Sequence, residues 1–247
     1  MMSILRCIRA DIIKSKNTPL LLLHLLLPVI GTLIFMGYFH VSGWSEMVNV
    51  SVFLEVMAIV FPFLIGIVVG FMIQLEHQAG NFQLMLGTIK SRGSVYMAKF
   101  IYFLILAYIS IVLSVTIFAI CYPVLPLVFY LKIAPILLLM VSPIYLISLL
   151  VGLIFGQSAS MGLGIVGSLI SALMLTGLGD GIWMFIPWAW GVRFIDYFIL
   201  KQTSMELPIH MENEYNVAFY IVVSTTIILL TISLIWFNYW EGGKTNE

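Results

Sequence analysis

The stretch EHQAGNFQLMLGTIKSRGSVYMAK, residues 76–99, is the longest polar break in the first half of a chain that is otherwise almost entirely lipid-like. On either side lie apolar runs long enough to cross a bilayer, which takes about 20 residues of helix. The composition agrees: 62% of residues are hydrophobic and only 9% are charged, and the mean hydropathy is +1.13. Soluble domains are about 45–50% apolar and about 25% charged. The reading is an all-α integral membrane protein with no separate soluble catalytic domain.

Six apolar stretches are expected to cross: 20–39, 52–73, 100–122, 133–155, 161–178 and 218–239, the fifth only barely. The first is too long for a signal-peptide core and has no clear small-x-small cleavage site, so it reads as a retained span. Pro28, Pro62 and Pro143 are expected to interrupt the first, second and fourth. Small residues recur four apart, Gly66 with Gly70, Gly152 with Gly156, and Ser160, Gly164 and Ser168 in series. Such spacing lets helix backbones approach closely. The whole of 1–247 reads as a single membrane domain.

An even number of spans returns the chain to the side where it began. That places Arg6, Arg9, Lys14, Lys16, Lys90, Arg92, Lys99 and Lys244 on one side, and Lys132, Arg193 and Lys201 on the other. The side richer in Lys and Arg is the cytoplasmic one, so both termini are expected there. Met1, Leu5, Ile8 and Ile12 share a helical face with Asp11 at its edge. Residues 1–17 are therefore expected to form an interfacial helix along the inner leaflet; a basic leader that only sets topology is the alternative.

Several chemical readings fail. Gly162, Gly164 and Gly167 spell a dinucleotide fingerprint but lie inside an apolar stretch without a preceding strand. Gly243, Lys244 and Thr245 end like a phosphate-binding loop, yet Asn238 stands where its first glycine is required. Cys7 and Cys121 suggest no disulfide framework or metal-ligand spacing. Zero formal net charge points to no nucleic-acid partner. Glu55 and His24 lie near span ends, where each is expected to be hydrated rather than to couple an ion at the midplane. The chain is not expected to be an enzyme, and energy for transport would come from another polypeptide or an ion gradient.

Within the opening stretch, residues 81–89 suit a short helix on the membrane surface, with Phe82, Leu84, Met85 and Leu86 available to a partner's groove. A solvated connector is the plain alternative. Glu76, Gly80, Leu84, Leu86, Ser91, Arg92 and Lys99 resemble the first cytoplasmic loop of ABC-2 type permeases, with Asn81 where Thr is common and Met85 within the Leu pair. AGNFQ at 79–83, the total length and IPWAW at 186–190 resemble more narrowly the permease subunits of lantibiotic (bacteriocin) self-immunity ABC transporters. The resemblance implies a bacterial cytoplasmic membrane, a separate ABC ATPase dimer that uses the ATP, a second permease subunit, identical or homologous, and no cofactor bound by this chain. It also implies a cytoplasmic coupling helix after the second span. There Glu76 would steady the loop at the membrane surface, Gly80 would permit the turn, and Asn81, Phe82, Gln83, Leu84 and Leu86 would meet the ATPase.

Residues 179–216 form a second unusual region, aromatic and expected to be extracellular or re-entrant before the sixth span. Trp183, Trp188, Trp190 and Arg193 suit the headgroup zone, and Glu206, Glu212 and Glu214 would set acidic groups beside an aromatic shelf. A cationic amphipathic peptide would be attracted there, making Trp183, Trp188, Trp190, Arg193, Glu212 and Glu214 the candidate substrate or gate residues. The expectation is a permease subunit of an exporter that expels a lantibiotic-type peptide from the cytoplasmic membrane. An ABC-2 permease for a lipid, drug or ion, and a non-transporting scaffold or sensor, stay open.

Overall fold

A computed structural model describes residues 2–16, 18–87, 91–203 and 209–242. Lys90, Glu206 and Lys244, the ends of the 1–17 and 81–89 segments, and the Gly243 to Thr245 motif fall outside them. The described residues are helical without strands: α1 (Met2–Ser15), α2 (Pro19–Ser42), α3 (Glu46–Gln78), α4 (Gln83–Gly87), α5 (Arg92–Cys121), α6 (Leu127–Phe155), α7 (Gln157–Leu175), α8 (Pro187–Thr203) and α9 (Ile209–Tyr239). Six of these, α2, α3, α5, α6, α7 and α9, are long and apolar enough to cross a membrane. This is a multi-pass membrane protein.

Pro28, Pro62 and Pro143, expected to interrupt their spans, do not break them. Each sits inside a continuous helix, and for two of them neighbouring hydroxyls explain how. Proline at 28 leaves the carbonyl of His24 without its helical donor, and the Ser110 hydroxyl donates to that carbonyl at 2.6 Å. Proline at 143 does the same to Leu139, whose carbonyl accepts from Ser142 at 2.8 Å. His24 is itself buried between α2 and its neighbours, with Nδ1 3.1 Å from the Leu20 carbonyl. It is enclosed, not hydrated as expected.

Close approach is greatest between α3 and α7, the most extensive helix pairing in the bundle. A Cβ on Gly66 would meet the Ser160 carbonyl oxygen at 2.6 Å and the Gly164 Cα at 2.7 Å. Only glycines allow that crossing. Ser160 and Ser168 then donate across it to the carbonyls of Gly66 (3.2 Å) and Ile59 (2.6 Å), the interhelical bonding that stands in for a hydrophobic drive inside lipid. α7 starts directly after Gly156, whose φ of +90° turns the chain with no loop.

α8 is a 17-residue helix that packs on α6, α7 and α3. It buries Ala189, Trp190, Val192, Ile195 and Ile199. α1, the turn after α3 and the end of α9 gather at one end of the bundle, where Lys14 meets Glu76 and Phe82 meets Trp240.

Replacing Gly66 with Leu should force α3 from α7 at a cost of roughly 1–3 kcal/mol, since the obstructing atoms are backbone. Gly162→Ala, whose Cβ meets nothing within 4 Å, should be nearly neutral. Thermal unfolding of the two variants in detergent reads the contrast.

Candidate functional site

The end of the bundle that holds residues 76–99 is organised by charge. Glu76 is not a loop residue: α3 runs on to Gln78, α5 begins at Arg92, and Lys99 lies two turns inside it. Most of the polar break is thus helix, and its two charged ends, one on α3 and one on α5, neutralise each other. Lys99 Nζ lies 2.6 Å from Glu76 Oε1 and 2.8 Å from Asp11 Oδ1, with all three side chains at most 5% exposed. Lys14 Nζ adds contacts of 2.9 and 3.1 Å to the two Glu76 oxygens from a more exposed position. Beside them the Ser15 and Tyr102 hydroxyls share a hydrogen bond. The cluster therefore fastens α1 to both α3 and α5.

Glu76, expected to steady a loop, is buried on α3 within the bundle end. Asp11 and Lys14 had no site role in the sequence reading, yet they complete the cluster. The signal was present: Asp11 is the single acidic residue before Glu46. The buried face of α1 is Ile4, Cys7, Ile8, Asp11 and Ser15, while Leu5, Ile12 and Ile13 face outward. That splits the apolar face expected of Leu5, Ile8 and Ile12, because Asp11 must turn inward to reach Lys99.

Beyond Gln78 the chain makes a strained turn. Gly80, Asn81 and Phe82 have φ of +105°, +48° and +65°, and two consecutive non-glycine residues in the left-handed region are uncommon. The turn is held by the amides of Asn81 and Phe82, which donate to the carbonyls of His77 (2.7 Å) and Glu76 (3.2 Å). It directs Phe82 inward against His77 and Trp240, at ring-centroid distances of 5.7 and 5.1 Å. Phe82 and Met85 are buried and Leu86 is half-buried, which corrects the expectation that they lie free for a partner's groove. The side chain of Leu84 lies outside the described residues, and Gln83 is exposed on α4. Arg92 donates to the Trp240 carbonyl at 2.8 Å and the Gly93 amide to Asn238 Oδ1 at 3.0 Å, tying the start of α5 to the end of α9. A half-open cavity of about 720 Å³ lies among Gln74, His77, Phe82, Gln157, Trp236 and Trp240.

At the opposite end, most of the expected substrate or gate residues are occupied within the fold. Trp183 and Trp190 are buried; their indole N–H groups donate to Glu214 Oε1 (2.6 Å) and to the Met184 carbonyl (2.9 Å). Trp188 is half-buried and packs so closely on Gly167 that no larger residue fits there. Arg193 donates to the carbonyls of Met174 (2.6 Å) and Thr176 (2.9 Å) and pairs with Asp180 at 2.8 Å. It thereby satisfies carbonyls that the end of α7 leaves without helical partners. Glu212 is exposed and faces Lys201 at 3.3 Å. Trp183 and Trp190 fill the space between α8, α9 and the turns before α8, and Trp188 packs on α7, so these three rings do not form an open shelf.

No family model, curated protein or solved structure matches this chain.

Lys99→Met leaves Asp11 and much of Glu76 as uncompensated buried charge and should cost about 3–5 kcal/mol. Undocking of α1 has its own reporter, since Cys7 is buried and its thiol is pushed up by burial and by Asp11. In a Cys121→Ser background, Cys7 should resist maleimide at neutral pH and become reactive in the Lys99→Met variant. Arg193→Met, which removes hydrogen bonds made by a charged donor, should lower stability by roughly 1.5–3 kcal/mol in a thermal melt.

Proposed function

We propose that this chain is the permease subunit of an ATP-driven exporter that expels a lantibiotic-type antimicrobial peptide from a bacterial cytoplasmic membrane, with ATP hydrolysed by a separate ABC ATPase dimer. The resemblance of residues 76–99 to the ABC-2 loop supplies the class, and that of 79–83 and 186–190 supplies the cargo. The observation that carries the mechanism is mechanical: one short turn is joined to α3 directly, to α1 and α5 through the Glu76–Lys99–Asp11 cluster, and to α9 through Phe82 and Trp240.

A force applied to α4 would therefore reach four helices at once. In such an exporter the ATPase has two states, and it shifts the permease between two arrangements by contacting them unequally. The exposed face of α4, with Gln83 on it, is the part left for that contact. Gly80, Asn81 and Phe82 shape the turn, and Glu76 and Leu86 brace it from within. Both termini lie in the cytoplasm on this reading, and α1 rests at the inner leaflet with Leu5 and Ile12 toward lipid and Ile13 on the polar side between Arg6 and Arg9. A second permease subunit completes the pathway. At the outer end Glu212 is the acidic group most open to a cationic peptide, with Trp183, Trp188, Trp190, Arg193 and Glu214 supporting the surface from beneath.

Gly80→Pro removes a φ of +105° that proline cannot adopt. It should abolish ATP-dependent release of peptide from cells while membrane insertion persists. Gln83→Glu should weaken co-purification of the ATPase and leave the bundle's melting temperature unchanged. Undiminished release in the Gly80→Pro strain, or a chain that never co-purifies with an ATPase, would overturn the reading.

A further inference from the structure

α2 and α3 are joined by residues 43–45 and then diverge, leaving a lateral groove of about 250 Å³ around the middle of α2 and toward the loop end of α3. Its walls are Leu27, Ile30 and Phe35 from α2 and Phe53, Met57 and Phe61 from α3. Gly31 lines it, and a Cβ added there meets nothing within 4 Å.

The lining is almost all carbon. Its two hydroxyls are already engaged: Thr32 and Ser114 bond each other at 2.8 Å, and Thr32 donates to the Pro28 carbonyl at 2.7 Å. Water would find too few polar partners to stay. A peptide segment would bring backbone N–H and C=O groups that need partners the groove does not offer. A hydrocarbon chain needs none. The groove opens among Leu27, Ile30, Ile34 and Val60, which are exposed on two membrane-spanning helices and so face hydrocarbon. At the loop end, Tyr38 and Trp44 are exposed and pack edge-on at 5.6 Å, a pairing suited to the headgroup zone.

We propose that this groove is a binding site for one acyl chain of a bilayer phospholipid, whose headgroup lies at the level of Tyr38 and Trp44. The site recognises the chain rather than the headgroup. It does not depend on the export reading, only on the spans lying in a bilayer.

The test uses the full-length chain in bilayer discs of phosphatidylcholine and phosphatidylglycerol, one of them carrying a photoactivatable diazirine in the distal half of an acyl chain. Adducts are mapped by mass spectrometry. Adducts are expected on the enclosed groove walls, at Phe35, Phe53, Met57 and Phe61, with either lipid. Gly31→Phe, and independently Val60→Trp, should abolish them and leave adducts at Ile227, Ile228 and Ile232 on the outward face of α9, provided circular dichroism shows the helices intact. Groove adducts that persist in both folded variants, or that appear with one headgroup only, would overturn the proposal. So would efficient disulfide cross-linking between two copies carrying Leu27→Cys, which would make the groove a contact between chains.

Discussion

A lysine buried between two carboxylates governs how the rest of this bundle is arranged. Lys99 is fully enclosed, and a lone ammonium ion in that position would be far too costly to keep. Glu76 and Asp11 make it tenable, and they come from different helices. Lys99 is the member the others depend on: without it Asp11 is buried with no counter-charge and Glu76 keeps only Lys14. The requirement fixes the rotation of α3 and α5 at their polar ends and draws α1 onto the bundle side first.

That constraint propagates along the chain. α3 ends two residues beyond Glu76, and the turn at 80–82 adopts left-handed backbone that brings Phe82 against Trp240. Arg92 and Gly93 then hold the end of α9 from the start of α5. Ion pair, strained turn and aromatic contact form one continuous network at this end. The other end is built differently, around buried tryptophans and the guanidinium of Arg193, which closes the end of α7. Between the ends, the α3–α7 seam relies on the absence of side chains, and hydroxyls take the carbonyls that prolines leave open. Paired polar groups at each end frame a middle that depends on close helix approach and a few interhelical hydrogen bonds.

The sequence by itself determined the membrane-spanning class, the six long helices and the small-residue seam. Twenty-residue apolar runs and four-residue spacing of Gly and Ser are local patterns, and no tertiary contact is needed to produce them. It also marked residues 76–99 as different. What it could not determine was which way each helix faces. A helix that is apolar all round carries no amphipathic stripe to tell bundle from lipid, and turn residues such as Phe82 and Trp183 have no periodicity to mark them as buried. Asp11 and Lys99 are 88 positions apart, and neither residue's neighbours reveal the other. Only the tertiary structure decided that pairing, because a buried charge is satisfied by what lies across from it in space, and packing brings that group there.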